Sequence, residues 1–485
     1  MKKILPFILL LTGIAVVGFN YEKKQKPNVL FIIADDLRPE LGTFGAAHIK
    51  SPNIDKFAES SAVFERAFCN IPVCGASRAS LLSGIRPARF RFYSAYDFLN
   101  KQYPDATSIP RVFHENGYTT VSNGKVFHHK EDEESAWDEI WSAASNPGAD
   151  YVSGENQALV KVKGQRGNPY EDVATSDLDY KDGKMAVKII EDLRKFKKSG
   201  KPFFLTMGVH KPHLPFNAPK KYWDMYDSTK IQLPDNYSQP ETTPRVAFHN
   251  SGELRAYYGI PAKGDVPDAK AKKLIHGYYA SVSYIDAQIG LVLDELKNSG
   301  MDKNTIVVLL GDHGWNLGDH KLWNKHCTFS SSLTTPLIIR IPEKTSGQRI
   351  KDIVEFVDIF PTLMELTKIK SPKTLSGESV VSLIDKAKRQ KNFAISRWNN
   401  GWTIIKDQLY YTEWIDDKDS LKTRMLFDHK TDPLENNNVA EKPEYAAAIK
   451  DLTAILRKNR GADFNVDRRK IKEKNSDTGD PRTKE

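Results

Sequence analysis

The feature that most constrains the fold is a set of short segments that are apolar at nearly every position: residues 29–33, 202–209, 305–310 and 335–341. A strand needs such a run when both faces of its sheet are covered, as in parallel sheets packed between helices. Amphipathic helical patterns alternate with these segments, at residues 184–198 and 272–298. The alternation predicts a doubly wound α/β sheet.

Composition and charge narrow the class of protein. Of the 485 residues, 40% are hydrophobic and 27% are charged, which is typical of a packed globular chain. The 71 Lys and Arg residues against 62 Asp and Glu residues give a formal net charge of only +9. No arginine-rich stretch or zinc-finger spacing accompanies this excess, so we expect no nucleic-acid partner. A mild positive charge suits an acidic substrate.

The first residues have the pattern of a secretory signal peptide. Met1-Lys2-Lys3 is positively charged, and residues 4–18 are apolar and uncharged. The apolar stretch is shorter than the ~20 residues that a membrane-spanning helix needs. We expect a signal peptide over residues 1–26, export to a bacterial periplasm, and no stable membrane span after cleavage.

The rest of the chain divides into three predicted parts. Residues 27–370 carry the α/β pattern and form the predicted catalytic domain, in which the polar residues 142–182 are expected to be a long surface loop. Residues 371–460 change to short strands separated by turns, which predicts a small antiparallel subdomain. Residues 461–485 are charged and poor in apolar side chains, which predicts a loose tail.

The cysteine count raises a question about chemistry. The chain has three cysteines, Cys69, Cys74 and Cys327. Exported proteins usually pair their cysteines, and an odd number leaves at least one thiol unpaired. Two interpretations remain open: one disulfide with a buried spectator thiol, or a cysteine that is used for chemistry.

Two of the predicted strands end in acidic pairs. Asp35-Asp36 follows the first apolar run, and Asp312-His313 follows the third. The carboxyl ends of parallel strands meet at one edge of a sheet, where ligands of open α/β folds bind. Converging carboxylates repel each other unless a cation neutralises them, and oxygen ligands favour Ca²⁺ or Mg²⁺. The pairs therefore predict a site for a hard divalent cation.

The segment Cys74-Gly-Ala-Ser-Arg78 marks a second candidate site. Cys74 opens a predicted apolar helix, and a helix N-terminus favours anions and depresses the pKa of a thiol. Arg78 lies one turn further along, where it can hold a developing negative charge. The residues alone indicate an activated thiol or an anion site, with a structural cysteine, paired with Cys69, as the alternative.

The same segment resembles a known family signature. Cys74-x-Ala-x-Arg78, followed by Ser-x-x-x-Gly, is similar to the maturation signature of the type I, formylglycine-dependent sulfatases. The two acidic pairs match that family's calcium ligands in order and spacing. The runs VLFIIADDLRPELG, GKVFH, HKPHLPF and DHGWNLGDHKLWNK are similar to the iduronate 2-sulfatase group and its bacterial relatives.

The resemblance implies a fold and two cofactors. The fold would be that of the alkaline phosphatase superfamily, an α/β class with a large α/β/α sandwich and a small C-terminal antiparallel subdomain. Cys74 would be matured to Cα-formylglycine (3-oxoalanine) by a formylglycine-generating enzyme, which is thus an expected partner. A single Ca²⁺ would be held by residue 74 and four other side chains, namely Asp35, Asp36, Asp312 and His313.

The resemblance also implies roles for the remaining site residues. Arg78 and Lys125 would steady residue 74 and the charge of the sulfate. His128 would be the base for sulfate release. His210 and Lys325 would bind sulfate, and one of the two would protonate the leaving oxygen.

Together these expectations predict an enzyme that hydrolyses sulfate esters of a sulfated sugar, similar to a uronate 2-sulfate, in polysaccharides or glycosaminoglycans. Three alternatives remain: a phosphonate monoester or phosphodiester hydrolase of the same superfamily, a non-catalytic glycan-binding protein with an unmodified Cys74, and a zinc protein. The zinc interpretation depends on the pairs His128-His129 and His210-x-x-His213.

Overall fold

The computed structural model describes residues 25–143, 148, 150–162 and 166–460. The predicted tail lies outside these ranges, as does almost all of the predicted signal peptide. None of the helices within them combines the length and apolarity needed to cross a lipid bilayer.

The chain alternates strands and helices along most of its length. The strands are β1 (Asn28–Asp35), β2 (Ala62–Phe68), β3 (Thr119–Gly124), β4 (Glu139–Trp141), β5 (Tyr170–Glu171), β6 (Phe203–Pro212), β7 (Phe216–Asn217), β8 (Thr305–Gly311), β9 (Asn316–Leu317), β10 (Trp323–Asn324), β11 (Thr334–Arg340), β12 (Gln348–Glu355), β13 (Phe393–Trp398), β14 (Gly401–Lys406), β15 (Leu409–Ile415) and β16 (Leu421–Asp428). The α-helices are α1 (Pro52–Ala58), α2 (Cys74–Ser83), α3 (Leu99–Gln102), α4 (Ile109–Glu115), α5 (Gly154–Lys161), α6 (Lys181–Ser199), α7 (Lys220–Trp223), α8 (Gly252–Arg255), α9 (Asp268–Asn298), α10 (Ser330–Leu333), α11 (Ile359–Thr367), α12 (Val381–Ile384) and α13 (Ala446–Asn459).

An eight-stranded sheet forms the centre, in the order β12-β2-β11-β8-β1-β6-β3-β4. Strand β1 runs parallel to both β6 and β8, and β3 and β4 continue in the same direction. Strand β11 runs antiparallel to both of its neighbours, β8 and β2. The expected parallel sheet is therefore a mixed one, in which β11 alone among the eight strands is reversed.

Alternate residues of each central strand face opposite layers of helices. Val29, Phe31 and Ile33 of β1 pack into a core that includes α2, α4 and α11. Leu30 and Ile32 pack into a second core that includes α1, α6 and α9. Both faces of β1 are fully buried, which explains why its sequence is apolar without alternation. The predicted α/β/α sandwich is confirmed.

A separate antiparallel sheet, β13-β14-β15-β16, follows the large sheet in sequence. Helix α13 covers one face through Ile449, Leu452 and Leu456. The other face, including Tyr410 and Phe427, joins the core of the large sheet. The predicted antiparallel character of this region is confirmed, although the fourth strand, β16, was not predicted.

A buried group of charges connects the large sheet to the C-terminal residues. Glu355 at the end of β12 forms ion pairs with Arg86 and Lys391, and accepts a hydrogen bond of 2.6 Å from the Asn70 amide. Lys391 also contacts Asp358 at 2.6 Å, and Arg389 contacts Asp358 at 2.8 Å. We call these charged residues the linking cluster, comprising Arg86, Glu355, Asp358, Arg389 and Lys391.

The expected loop over residues 142–182 contains regular structure. Helix α5 begins after Ser153, whose hydroxyl accepts a hydrogen bond from the Asn156 backbone N–H. Strand β5 follows and pairs with β7. The prediction of a long loop was wrong here because a polar, solvent-facing helix has no apolar stripe, although Ser153 is a typical N-cap residue.

Candidate active site

Seven strands of the large sheet end at one edge, and the candidate site residues follow five of them. Asp35 ends β1, and Asp312 directly follows β8. Lys125 follows β3, His213 follows β6, and Cys74 lies a few residues after β2. The fold thus brings together side chains that are far apart in the sequence, at the edge where open α/β sheets bind ligands.

Cys74 lies at the first position of α2 and is 3% exposed. Its Sγ atom is 3.2 Å from His313 Nε2 and 4.0 Å from Asp36 Oδ1. The next residue, Gly75, allows this end of the helix to pack tightly, because a Cβ there would lie 2.1 Å from the Ala95 carbonyl oxygen.

The structure bears on the two interpretations that the cysteines left open. All three cysteines are free and buried, so the disulfide interpretation finds no support among the described residues. Burial, assisted by the charge of Asp35, raises the pKa of the Cys74 thiol well above its usual value. Desolvation therefore opposes the thiolate that a helix N-terminus would favour at this position.

Three buried carboxylates surround Cys74. Asp35 is 2% exposed, and Asp36 and Asp312 are fully buried. The Asp36 backbone N–H donates a hydrogen bond of 3.0 Å to Asp312 Oδ1, and Asp36 itself has a left-handed backbone with φ of 62°. This turn directs two consecutive carboxylates toward the same edge of the sheet. Burial raises the pKa of the Asp36 carboxyl, despite the opposing charge of Lys325.

Buried cations form ion pairs with two of these carboxylates. Arg78 is fully buried and donates from Nε to Asp312 Oδ2 at 2.9 Å, with a longer contact of 3.4 Å to Asp35 Oδ1. Lys125 Nζ lies 2.6 Å from Asp35 Oδ2. Burial would raise the pKa of Asp35, but Lys125, His213 and Arg78 outweigh it and lower that pKa well below its usual value. Asp35 is therefore ionised at neutral pH.

Four of the five predicted metal ligands form one group. Ligand atoms of Asp35, Cys74, Asp312 and His313 all lie within 4.8 Å of one another. His313 Nδ1 donates to the Gly314 carbonyl oxygen at 2.9 Å, which leaves Nε2 as the nitrogen that faces the group. Asp36 belongs to a second such group with Cys74 and His213. The two groups together contain three carboxylates, Asp35, Asp36 and Asp312, and carboxylate oxygens are the donors that a hard divalent cation prefers.

His213, rather than His210, lies beside Cys74. His213 Nε2 is 3.8 Å from Asp36 Oδ2, whereas His210 Nδ1 is 3.2 Å from Asp182 Oδ1. The two histidines of HKPH are thus directed to different surroundings. The sequence offered no signal to choose between them, since both flank the same Lys-Pro pair.

Lys325 and a carboxylate not found from the sequence complete this side of the site. Lys325 Nζ lies 3.0 Å from Asp36 Oδ1 and 3.0 Å from Glu253 Oε2. Glu253 also accepts a contact of 2.9 Å from His213 Nε2. Glu253 comes from the short helix α8, in a polar segment whose sequence carries no recognisable motif. Its position depends entirely on how that segment folds over the sheet edge.

His128 lies near Lys125 and Arg78. Burial, together with the positive charge of Lys125, lowers the pKa of His128 well below its usual value. A neutral imidazole can accept a proton, as the predicted base must. Among the described residues, His128, His129 and His210 belong to no three-ligand group, and His213 joins Asp36 and Cys74 rather than His210, so neither histidine pair forms the site that the zinc interpretation requires.

A cavity of about 520 Å³ opens beside the site. Asp35, Lys125 and His213 form the part of its wall that adjoins Cys74. Its size lies in the range of small-molecule pockets.

Comparisons with known proteins agree on one family. A sequence model of the Sulfatase family matches residues 27–369, and a model described as N-sulphoglucosamine sulphohydrolase, C-terminal, matches residues 318–462. Mouse (Mus musculus) iduronate 2-sulfatase is 33% identical over 389 residues, covering 71% of this chain and 69% of the mouse protein. A sulfatase of Formosa agariphila is 31% identical over 474 residues, covering 93% of this chain and 91% of that protein.

A solved structure confirms the fold at lower sequence identity. The phosphonate monoester hydrolase SpPMH from Silicibacter pomeroyi superposes with a TM-score of 0.74, at 21% identity, over 89% of this chain and 94% of its own. The large sandwich with a small C-terminal sheet is the predicted architecture of the alkaline phosphatase superfamily, and that prediction is confirmed.

Proposed function

Because this chain belongs to the sulfatase family and is a sulfuric ester hydrolase, we propose that it removes sulfate from a sulfated sugar similar to a uronate 2-sulfate. The single observation that carries the proposal is the convergence of Cys74 with three buried carboxylates and three cations at the carboxyl edge of one sheet. A sulfate ester needs both a nucleophile and a cationic cradle. We also propose that the protein is exported to a bacterial periplasm.

In the proposed mechanism, Cys74 is first oxidised to Cα-formylglycine, which is hydrated to a geminal diol. Asp35, Asp36, Asp312, His313 and residue 74 would hold a calcium ion, whose charge would favour ionisation of a hydroxyl group on residue 74. One hydroxyl oxygen of residue 74 attacks sulfur, and the bond between sulfur and the sugar oxygen breaks. The sugar leaves as an alcohol after receiving a proton.

The second half of the reaction restores residue 74. The remaining hydroxyl gives its proton to His128, the carbon–oxygen bond to the bound sulfate breaks, and the aldehyde forms again. A serine or an unmodified cysteine lacks the second hydroxyl, so it could not release sulfate in this way. The position of Cys74 at the start of α2 supports this role because the helix N-terminus favours the anionic groups of the reaction.

Lys325 and His213 are the candidates for binding sulfate and protonating the leaving oxygen. Both contact Asp36 and Glu253. His210 lines the same cavity as His213 but pairs with Asp182, which supports a role in contacting the rest of the substrate.

The test is sulfate release from a panel of sulfated mono- and disaccharides. The protein would be co-expressed with a formylglycine-generating enzyme, and the mass of the peptide containing residue 74 would establish oxidation. We expect release from 2-O-sulfated uronates and little turnover of matched phosphate or phosphonate esters. Preferred turnover of the phosphorus esters would instead favour a phosphonate or phosphodiester hydrolase, and glycan binding by an aldehyde-bearing protein without turnover would overturn the proposed activity.

A further inference from the structure

The cavity beside the nucleophile contains more positive charge than its own carboxylates neutralise. Apart from the catalytic residues, its wall includes four basic side chains and one acidic one: Arg166, Lys181, His210, Lys211 and Asp150. Lys181 Nζ lies 2.7 Å from Asp150 Oδ1, and Lys125 is already paired with Asp35. Among the described residues, no carboxylate lies within 4 Å of the charged groups of Arg166 and Lys211.

Of the two cations Arg166 and Lys211, Lys211 is the buried one. Its residue is 6% exposed, and its Nζ atom donates to the carbonyl oxygens of Pro215 at 2.6 Å and His213 at 3.1 Å. An ammonium group has three donors, so one N–H remains for a ligand. Burial lowers the pKa of Lys211, which reflects the cost of keeping this charge away from water. An anion in the cavity would offset that cost.

Arg166 is the exposed member of the pair. Its guanidinium carbon lies 5.3 Å from the centre of the Tyr257 ring, and its backbone forms an isolated bridge with Tyr257. Tyr257 is 6% exposed, so its ring is a fixed surface beside the long, flexible side chain of Arg166. A guanidinium held in this way can bind a planar oxyanion through two parallel N–H groups.

We propose that Arg166 and Lys211 form a second anion subsite, which binds a carboxylate or a further sulfate on the same sugar chain as the sulfate ester that is cleaved. The inference rests on the proposed function, because it assigns the cavity to the substrate of that reaction. Position supports it: the cavity wall passes from Asp35 and Lys125 to Arg166 and Lys211 without interruption. The subsite would restrict turnover to acidic sugars.

The experiment compares three substrates that share one scissile sulfate: a 2-O-sulfated uronate, its methyl ester, and the ester with an added second sulfate. Arg166→Gln is expected to lower kcat/KM by roughly tenfold for the acid, while the value for the methyl ester stays within about twofold. An equal loss for the second sulfate would identify a general anion subsite, and a loss for the acid alone would identify a carboxylate subsite. Lys161→Gln, a change at an exposed lysine of α5 outside the cavity wall, is the matched control.

An unchanged preference for the acid over its methyl ester in Arg166→Gln would overturn the proposal. Arg166 is suited to the test because it is exposed, whereas replacement of Lys211 removes the donor to the His213 carbonyl oxygen and one of the two donors to the Pro215 carbonyl oxygen. Arg166→Lys keeps the charge but not the paired N–H groups, so it should recover only part of the preference.

A binding measurement separates this proposal from the proposed function. The Cys74→Ala protein, with and without Arg166→Gln, would be titrated with unsulfated glucuronate and with its methyl ester in a calorimeter. Weaker binding of glucuronate alone, by roughly tenfold in the double variant, would support the subsite even if wild-type protein released no sulfate. Equal binding in both proteins would overturn the subsite even if sulfate release were established.

Discussion

Two clusters of buried charge lie at the carboxyl edge of the same sheet, and they differ in what their carboxylates face. In the linking cluster, both oxygens of Glu355 accept contacts from protein donors: Arg86, Lys391 and Asn70. We call the residues around Cys74 the catalytic cluster. Ligand atoms of Asp35, Asp312 and His313 lie within 4.8 Å of Cys74 there, and Arg78 and Lys125 pair with the two carboxylates.

The comparison separates two uses of buried ion pairs. A network in which each carboxylate pairs with cations of the protein joins two parts of a chain, since removing one member leaves an uncompensated charge. A group of carboxylates that converge with an imidazole and a thiol has the composition of a cation site, and here it also adjoins a cavity. Burial and pKa shifts occur in both clusters, so neither property alone distinguishes a functional site from a structural one.

The largest expected effect on activity belongs to Cys74→Ala, which tests whether the catalytic cluster serves the reaction rather than stability. Removal of the nucleophile should lower sulfate release by roughly 10⁴-fold or more. The melting temperature should stay within about 2 °C, because only one sulfur atom is removed from a packed position. Ion chromatography of released sulfate and calorimetry of the same samples check both statements. Substantial activity in this variant would show that Cys74 is not the nucleophile.

Glu355→Gln should lower stability and leave activity unchanged, which is the opposite of the effects expected for Cys74→Ala. Loss of the Glu355 charge leaves Arg86 and Lys391 buried with fewer counter-charges, so the free energy of unfolding should fall by about 3–5 kcal/mol. Sulfate release per folded molecule should be unchanged. Denaturant unfolding measures the first and active-site-normalised kinetics the second; a selective loss of kcat would show that the linking cluster takes part in catalysis.

The same variant predicts a change in acid sensitivity. Burial would raise the pKa of Glu355, but Arg86 and Lys391 outweigh it and lower that pKa. The native state therefore gains stability above the unfolded-state pKa of about 4.3, and loses it as the pH falls further toward the native pKa. Wild-type protein should lose stability more steeply than Glu355→Gln below this pH, as followed by unfolding at several pH values.

Calcium should stabilise the catalytic cluster and leave the linking cluster unaffected. Saturating calcium at about 100 times its dissociation constant adds about 2.7 kcal/mol to the free energy of unfolding of a protein with one site. The melting temperature should rise with calcium and fall with a chelator. Asp312→Asn should lose this response and Glu355→Gln should keep it. An equal response in Asp312→Asn would place the ion elsewhere.

The smallest expected effect belongs to Glu253→Gln. Lys325 and His213 would lose a charged partner but keep a hydrogen-bonding one, so kcat/KM for sulfate release should fall by roughly tenfold. Glu241→Gln, at an exposed carboxylate of the same polar segment, is the control. Identical kinetics in the two variants would show that Glu253 does not position the sulfate-binding residues.

The central strands could be predicted from the sequence because burial on both faces leaves a direct mark. The apolar runs at residues 29–33 and 305–310 lie inside β1 and β8. Strand β2 was missed because Glu65 and Arg66 interrupt its apolar residues. The reversed direction of β11 also could not be predicted, since an apolar run carries no information about strand direction.

The site shows a similar division. Residues at strand ends or in a compact motif, such as Asp35, Asp312 and Cys74, could be predicted because their place in the chain fixes their place in the fold. Glu253 and the choice of His213 over His210 could not, because they depend on how long polar segments cross the sheet edge. Arg166 belongs to the same class, as it comes from a segment expected to be a loop.

The reversed strand β11 has a consequence for the connectivity of the active site. A strand parallel to β8 would have to begin at the amino ends of the strands, so the chain would first have to cross to that end of the sheet. Because β11 is antiparallel, it begins at the carboxyl ends, and the connection over residues 312–333 begins and ends on the side where the candidate site lies. Asp312, His313 and Lys325 therefore belong to one continuous excursion of the chain, so the relative positions of these three side chains depend on how one connection folds.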